Sequence, residues 1–370
     1  MSVASAGEAL LLVVVAAGLG ACEPRTPTPA PGERYSVPRT SWGDPDLQGK
    51  WPSTHMVGVP VQRDEKLGTR NVLNDEEFAD REARAARQIE QDNADFDIES
   101  AKATPGGDVG GPVSPPPHWL ERGSPQRQAS LIVDPPNGRM PPLTEAAQQR
   151  QAELRKAREG RGPADSYTDR SLYDRCITRG VAGSVLPVIY NNGNQIVQAP
   201  GYVAIVNEMI HETRIVPLDG RAHVSSSINM LLGDSRGHFD GDTLVVETTN
   251  LTDRTGVGLN GGGARHTAGA KITERFTRTD ADTIDYKITI DDPQTWTAPW
   301  TMEMPLKRDD NYGMYEYACH EGNYALHNIL SGARADERAA AAAAAAPASA
   351  AAPAPASAPA PAPAPAPAKK

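Results

Sequence analysis

Ile284-Asp-Tyr-Lys-Ile-Thr-Ile290, followed after one loop by Trp300-Thr-Met-Glu-Met-Pro-Leu-Lys307, alternates apolar and polar side chains. Ile284, Tyr286, Ile288 and Ile290 fall on one side of an extended chain, and Asp285, Lys287 and Thr289 on the other. Trp300, Met302, Met304 and Leu306 oppose Thr301, Glu303, Pro305 and Lys307 in the same way. A period of two marks a strand with one buried face, because successive side chains of an extended backbone point to opposite sides. Working outward, similar runs predict strands at 195–199, 202–210, 214–218, 243–249, 270–278 and 313–319. Asp219-Gly220, Asp240-Gly241 and Thr279-Asp-Ala-Asp282 supply turn residues between several of them, so neighbours are expected to pair antiparallel. The expectation is a mainly β fold, an antiparallel β-barrel or sandwich of about eight strands whose mouth can hold one small ligand.

Composition limits what surrounds this unit. The chain has 370 residues with 33 Pro, 33 Gly and only 5% aromatics, which favours one substantial core over two. A net charge of -10 without a clustered basic run disfavours nucleic acid as a partner. The first 22 residues read as a lipoprotein-type signal peptide: the apolar segment 9–21 is too short to span a bilayer and leads through Leu19-Gly-Ala directly to Cys22. Acylation of Cys22 would make the protein an exported periplasmic or outer-membrane lipoprotein, touching the membrane through that anchor alone; ordinary signal cleavage is the alternative. Residues 23–40, rich in Pro and Thr, form a tether, 41–190 an irregular, partly helical N-terminal arm, 191–338 the antiparallel β domain and 339–370 an Ala/Pro tail. In an exported protein Cys176 and Cys319 can form a disulfide, or remain two separate buried thiols.

Within the arm, Asn74-Asp-Glu-Glu77 is a helix start in which the Asn side chain caps free amides and the Glu reaches back. Thr144 caps a second polar helix running through Lys156. Gly49-Lys-Trp51 is similar to the Gly-x-Trp that opens a lipocalin barrel, where the Trp plugs the closed end; Trp51 as a plain core anchor is the other reading.

Several longer motifs carry a further likeness. Asp44-Pro-Asp-Leu-Gln-Gly-Lys-Trp51, Ser130-Leu-Ile-Val-Asp-Pro-Pro-Asn-Gly-Arg139, Arg175-Cys-Ile177, Glu208-Met-Ile-His-Glu-Thr-Arg214, Pro217-Leu-Asp-Gly-Arg221, Gly233-Asp-Ser-Arg-Gly237, Gly241-Asp-Thr-Leu-Val-Val-Glu-Thr-Thr-Asn250 and Tyr315-Glu-Tyr-Ala-Cys-His-Glu-Gly-Asn323 occur in this order. Together they resemble a group of exported bacterial proteins carried as hypothetical, over roughly residues 41–338. The resemblance implies an exported or lipid-anchored protein and brings no reaction with it.

Two constellations are candidates for chemistry. Glu208, His211, Glu212 and Arg214 lie close in sequence, but on a regular strand Glu208 and His211 point to opposite faces, so a shared pocket requires a bulge or turn. His320 and Glu321 follow the expected last strand, with Asn323 beside them; an imidazole near a carboxylate suits general acid or base work. The competing reading of Asn323 is a cap for the helix after it. Arg221 and Arg236 can each hold a carboxylate or sulfate bidentately or form a surface ion pair, and Asp234 shares a Gly-flanked loop with Arg236. Arg214 is a further substrate-binding candidate, with strand-to-strand hydrogen bonding and salt bridging the other reading of residues 208–214. Trp296 and Trp300 can stack on a ring-shaped ligand or serve as core plugs. Thr255-Gly-Val-Gly-Leu-Asn-Gly-Gly-Gly263 reads as a mobile lid or plain loop, since no Gly-Lys-Ser/Thr ends it. His223, His238 and His266 read as isolated surface histidines, and no metal or cofactor motif is evident. Two functions fit: an acid-base hydrolase or lyase acting on a small organic molecule without a cofactor, or a non-catalytic lipoprotein binding a ligand or partner at the same place.

Overall fold

The computed structural model describes residues 35–93 and 120–345. Residues 1–34, with the expected signal peptide and Cys22, residues 94–119 and residues 346–370 lie outside them. The described chain is mainly antiparallel β, arranged as two sheets. The smaller has the order β1 (Gly49–Lys50), β3 (Asn194–Ala199), β4 (Tyr202–Asn207), β5 (Thr213–Pro217). The larger runs β2 (Ile132–Asp134), β10 (Trp300–Lys307), β9 (Thr283–Asp291), β8 (Lys271–Asp280), β7 (Thr243–Thr249), β6 (Asp234–Asp240). Among the described residues no ladder joins the two sheets, so no closed barrel is formed.

The alternation in the larger sheet survives as predicted. Ile284, Tyr286, Ile288 and Ile290 of β9 pack beside Trp300, Met302, Met304 and Leu306 of β10, all buried. Pro305 is tolerated because β2 is short: Glu303 N donates to Leu131 O, and two residues on, the proline without an N–H falls past the end of that strand. Tight turns at Pro200-Gly201 and Gly241-Asp242 set the register of β3 with β4 and of β6 with β7; both glycines have positive φ, 78° and 62°. The arm also contributes to the sheets, since β1 and β2 each pair at an edge.

One core serves both sheets. Val203, Ile205 and Val216 from the smaller sheet join Leu244, Phe276, Tyr286 and Met304 from the larger in a single cluster. Trp51 is fully buried there, its indole N–H donating to Leu47 O, so it acts as a core anchor and closes no barrel. Helices α1 (Asp75–Asn93) and α2 (Glu145–Lys156) begin where their caps predict. Asn74 Oδ1 accepts from Glu77 N while Glu77 returns to Asn74 N, and Thr144 Oγ1 accepts from Ala147 N. A short α3 (Gly180–Val185) is wholly buried, and α4 (Tyr324–Ala345) ends the described chain. None of these helices is long and apolar enough to cross a membrane.

Three expectations are corrected. Asp234 and Arg236 lie on strand β6, not in a loop; its Gly and charged residues suit an edge strand, and a Cβ at Gly237 would lie 2.7 Å from Val216 Cγ1. Residues 313–319 form no strand, because Tyr315 N donates to the Glu208 side chain rather than to a ladder. The glycine-rich loop is a packed element rather than a lid: a Cβ at Gly183 of α3 would lie 2.6 Å from Gly261 N, and one at Gly261 would lie 2.6 Å from Arg179 O.

Candidate functional site

The turn between β4 and β5 supplies what the Glu208-to-Glu212 stretch needed. Ile210 and His211 adopt φ of 58° and 44°, a left-handed conformation that costs side-chain-bearing residues about 1–2 kcal/mol each. This turn swings Glu208 and Glu212 into different surroundings. Glu208 is 3% exposed and accepts from Asn191 Nδ2 (3.1 Å), Gly193 N (3.2 Å), Tyr315 N (3.2 Å) and the Tyr312 hydroxyl (2.7 Å). Tyr312 also lies 2.8 Å from Glu121 Oε1. Burial, reinforced by Glu208 and Glu121, holds its phenol well above the ordinary pKa, so it is a neutral donor. Glu208 thus fastens a strap, residues 312–323, across the end of the smaller sheet.

The other end of the strap is covalently held. Cys176 and Cys319 form a disulfide with a Cα separation of 5.7 Å. Between the two anchors, His211 Nδ1 donates to Tyr317 O at 2.8 Å. Asn323 Oδ1 accepts from Leu326 N, capping α4, while its Nδ2 donates to Asp174 O. The strap and the segment before α3 enclose a cleft of about 670 Å³ lined by Tyr173, Cys176, Asn191, Tyr317, Asn323 and Leu326 among others.

Behind this cleft is a buried cation. Arg179 is 1% exposed, and among the described residues its Nε and Nη2 have no hydrogen-bond partner. Its guanidinium carbon stands 5.6 Å from the centre of the Tyr173 ring. The hydroxyls of Tyr173 and Tyr190 are 2.6 Å apart, and Tyr317 joins them. Burial pushes the phenols of Tyr173 and Tyr317 up, while the hydrogen bond with Tyr173 and, less, Arg179 pull Tyr317 back down. Glu212 accepts from Ser184 Oγ at 2.9 Å and from Arg179 N at 3.4 Å; burial raises its pKa. Tyr173 and Tyr317 therefore have one side on the cleft and the other toward an arginine that, among the described residues, feels the Glu212 carboxylate but forms no ion pair.

The remaining predicted residues are dispersed. Arg214 is buried and forms a bidentate pair with Glu274 (2.5 and 2.8 Å), to which Tyr286 also donates, so a ligand would have to displace an internal ion pair to reach it. Trp296 and Trp300 are buried edge to face, 5.6 Å apart, and offer no ring to a ligand. Arg221 pairs with Asp219 on the surface. Asp234 is bound by His223 and Arg236 and is occupied with holding β6 to the chain at 222–224. His320 and Glu321 are exposed and lie outside the lining of the cleft; no side-chain hydrogen bond among the described residues orients them. His266 is not a surface histidine: its ring lies buried between Thr255 Oγ1 and Thr267 O. No group of three or more His, Cys, Asp or Glu side chains among the described residues is arranged to hold a metal ion.

Arg179, Tyr173, Tyr190, Tyr312 and Glu121 were not singled out from sequence. The adjacent Arg175-Cys-Ile177 and Tyr315-to-Asn323 motifs point to the two chain segments, but nothing local indicates that they meet. No family model, curated protein or solved structure matches the chain.

Proposed function

We propose that this is an exported envelope protein that holds a small organic molecule bearing a carboxylate or similar anionic group in the cleft beneath the strap, with Arg179 as its charge partner. The observation that carries the reading is the buried guanidinium with two unpartnered nitrogens. Burying an unpaired charge costs several kcal/mol, and a planar fork of N–H donors matches a carboxylate. The two sheets are then the halves of a sandwich rather than a barrel, supported by the core they share. Export through the 1–22 signal, with Cys22 as lipid anchor, is supported by the disulfide, a bond that persists in oxidising compartments.

Chemistry at this site would be acid-base: the neutral hydroxyls of Tyr173 and Tyr317 as donors, and the His211 imidazole, outside the lining but bonded to Tyr317 O, as the base, suit a hydrolase or lyase. The second reading, a binding protein without turnover, is favoured by the three tyrosines hydrogen-bonding one another, which occupies their hydroxyls with each other. A panel of aliphatic and aromatic monocarboxylates screened by thermal shift and then titrated by calorimetry tests the proposal. Arg179→Gln is expected to weaken the best ligand by roughly a hundredfold. Arg179→Met should keep or raise the melting temperature, since it replaces an unpaired buried charge by an apolar chain. Undiminished binding by Arg179→Gln rules the site out. Retained binding with lost turnover in His211→Ala separates the enzyme from the binding protein.

A further inference from the structure

A second depression, of about 650 Å³, lies between α2 and the loop at 253–269 and shares no lining residue with the tyrosine cleft. Its charge is opposite to that of the molecule. The chain carries a net charge of -10, yet the walls bring together Arg150, Arg155, Arg158 and Arg265 against the single carboxylate of Asp253. On α2, residues 147, 150, 151, 154 and 155 recur at intervals of three and four, so one helical face forms a wall about 12 Å long, and Arg158 follows in the turn after the helix.

Among the described residues none of the four arginines forms an ion pair. Arg150 donates to Gln294 O and Thr295 Oγ1, and Arg158 to Asp169 O, all uncharged acceptors that fix the side chains while leaving their charge available. Arg155 and Arg265 are exposed and pair with no carboxylate among the described residues. The facing wall is rigid: His266 Nδ1 donates to Thr267 O and its Nε2 accepts from Thr255 Oγ1, each at 3.0 Å. Burial lowers its pKa, so the imidazole is neutral and the cationic character comes from the arginines alone. Leu154, 49% exposed, lies on the same helical face and offers an apolar contact.

We propose that this cleft binds an organic ligand carrying two or more phosphate groups. Its volume is in the range of small-molecule sites and far exceeds what one oxyanion fills. Four guanidinium forks spread along the walls suit several anionic phosphates spaced across a ligand better than one carboxylate, and Leu154 accommodates the organic part. The same chemistry is offered by a soluble polyphosphorylated molecule and by a diphosphate lipid headgroup.

Calorimetric titration of the full-length protein with inorganic tripolyphosphate, and sedimentation with phosphatidylcholine vesicles with or without cardiolipin, whose headgroup carries two phosphates, distinguish the sources. Wild-type protein should bind at least one probe, more weakly as salt is raised. The Arg155→Ala/Arg265→Ala variant should bind that probe at least tenfold more weakly with unchanged thermal unfolding, because neither side chain supports the fold. Arg179→Gln should bind it as wild type does, which separates this cleft from the site beneath the strap. Binding of tripolyphosphate assigns a soluble ligand, and binding confined to cardiolipin vesicles assigns a headgroup. Equal affinity of the double variant and wild type, or no binding of either probe by wild type, overturns the proposal.

Discussion

Arg179 and His55 show two outcomes of burying a basic side chain. An arginine cannot give up its proton at any ordinary pH, so Arg179 remains a cation lacking partners for two of its nitrogens. A histidine can, and burial together with the nearby Lys307 lowers the pKa of His55 to about 4. Its folded pKa lies below the ordinary imidazole value near 6.5, so between the two the unfolded chain takes up a proton that the folded chain refuses. The contribution is therefore fully present above about pH 6.5 and is lost as pH falls toward 4. Its full size is about 3 kcal/mol, reduced to about 2 by solvent screening at a partly exposed ring. Urea denaturation midpoints measured from pH 4 to 6.5 should fall more steeply for wild type than for His55→Phe; parallel profiles would show that His55 is not the titrating group.

At the scale of elements, the strap decides the candidate site, and its fastening is covalent at one end. The disulfide joins positions 143 residues apart, which in the chain-entropy model is worth up to about 4–5 kcal/mol. The strap lacks a strand ladder, and its other holds are side-chain contacts such as Glu208 with Tyr312 and His211 with Tyr317. Cys176→Ser/Cys319→Ser should lower the melting temperature and expose residues 312–323 to proteolysis first, while the two-sheet core stays resistant; mass spectrometry of early fragments reads this out. Both caps, Asn74 and Thr144, were legible in sequence because a cap is a local interaction over three residues. The missing strand at 313–319 was not, because the partner that draws off its backbone donor is Glu208, 107 residues away.

For the molecule as a whole, the Arg214–Glu274 pair ties β5 to β8 across the shared core. Removing one partner strands the other as a buried charge, whereas replacing both by apolar residues removes the desolvation cost as well. Arg214→Met alone should cost about 3–5 kcal/mol, while Arg214→Met/Glu274→Leu should recover most of it, as measured by a double-mutant cycle in chemical denaturation. Additive losses would mean that the pair does not act as a unit. The same packing took Trp296 and Trp300 out of reach of any ligand, although their spacing in sequence suited a stacking platform.

What the sequence determined by itself was the set of half-buried strands, the antiparallel pairing implied by tight turns, the capped helices and two cysteines able to pair. Each depends on side-chain periodicity or on contacts a few residues apart. The tertiary structure alone decided that the sheets remain two rather than closing, that Arg214 turns inward to Glu274, and that Tyr312 bridges Glu208 and Glu121, the latter 191 residues away. Such encounters depend on how finished sheets pack and where the strap crosses them, and no local pattern of residues encodes either.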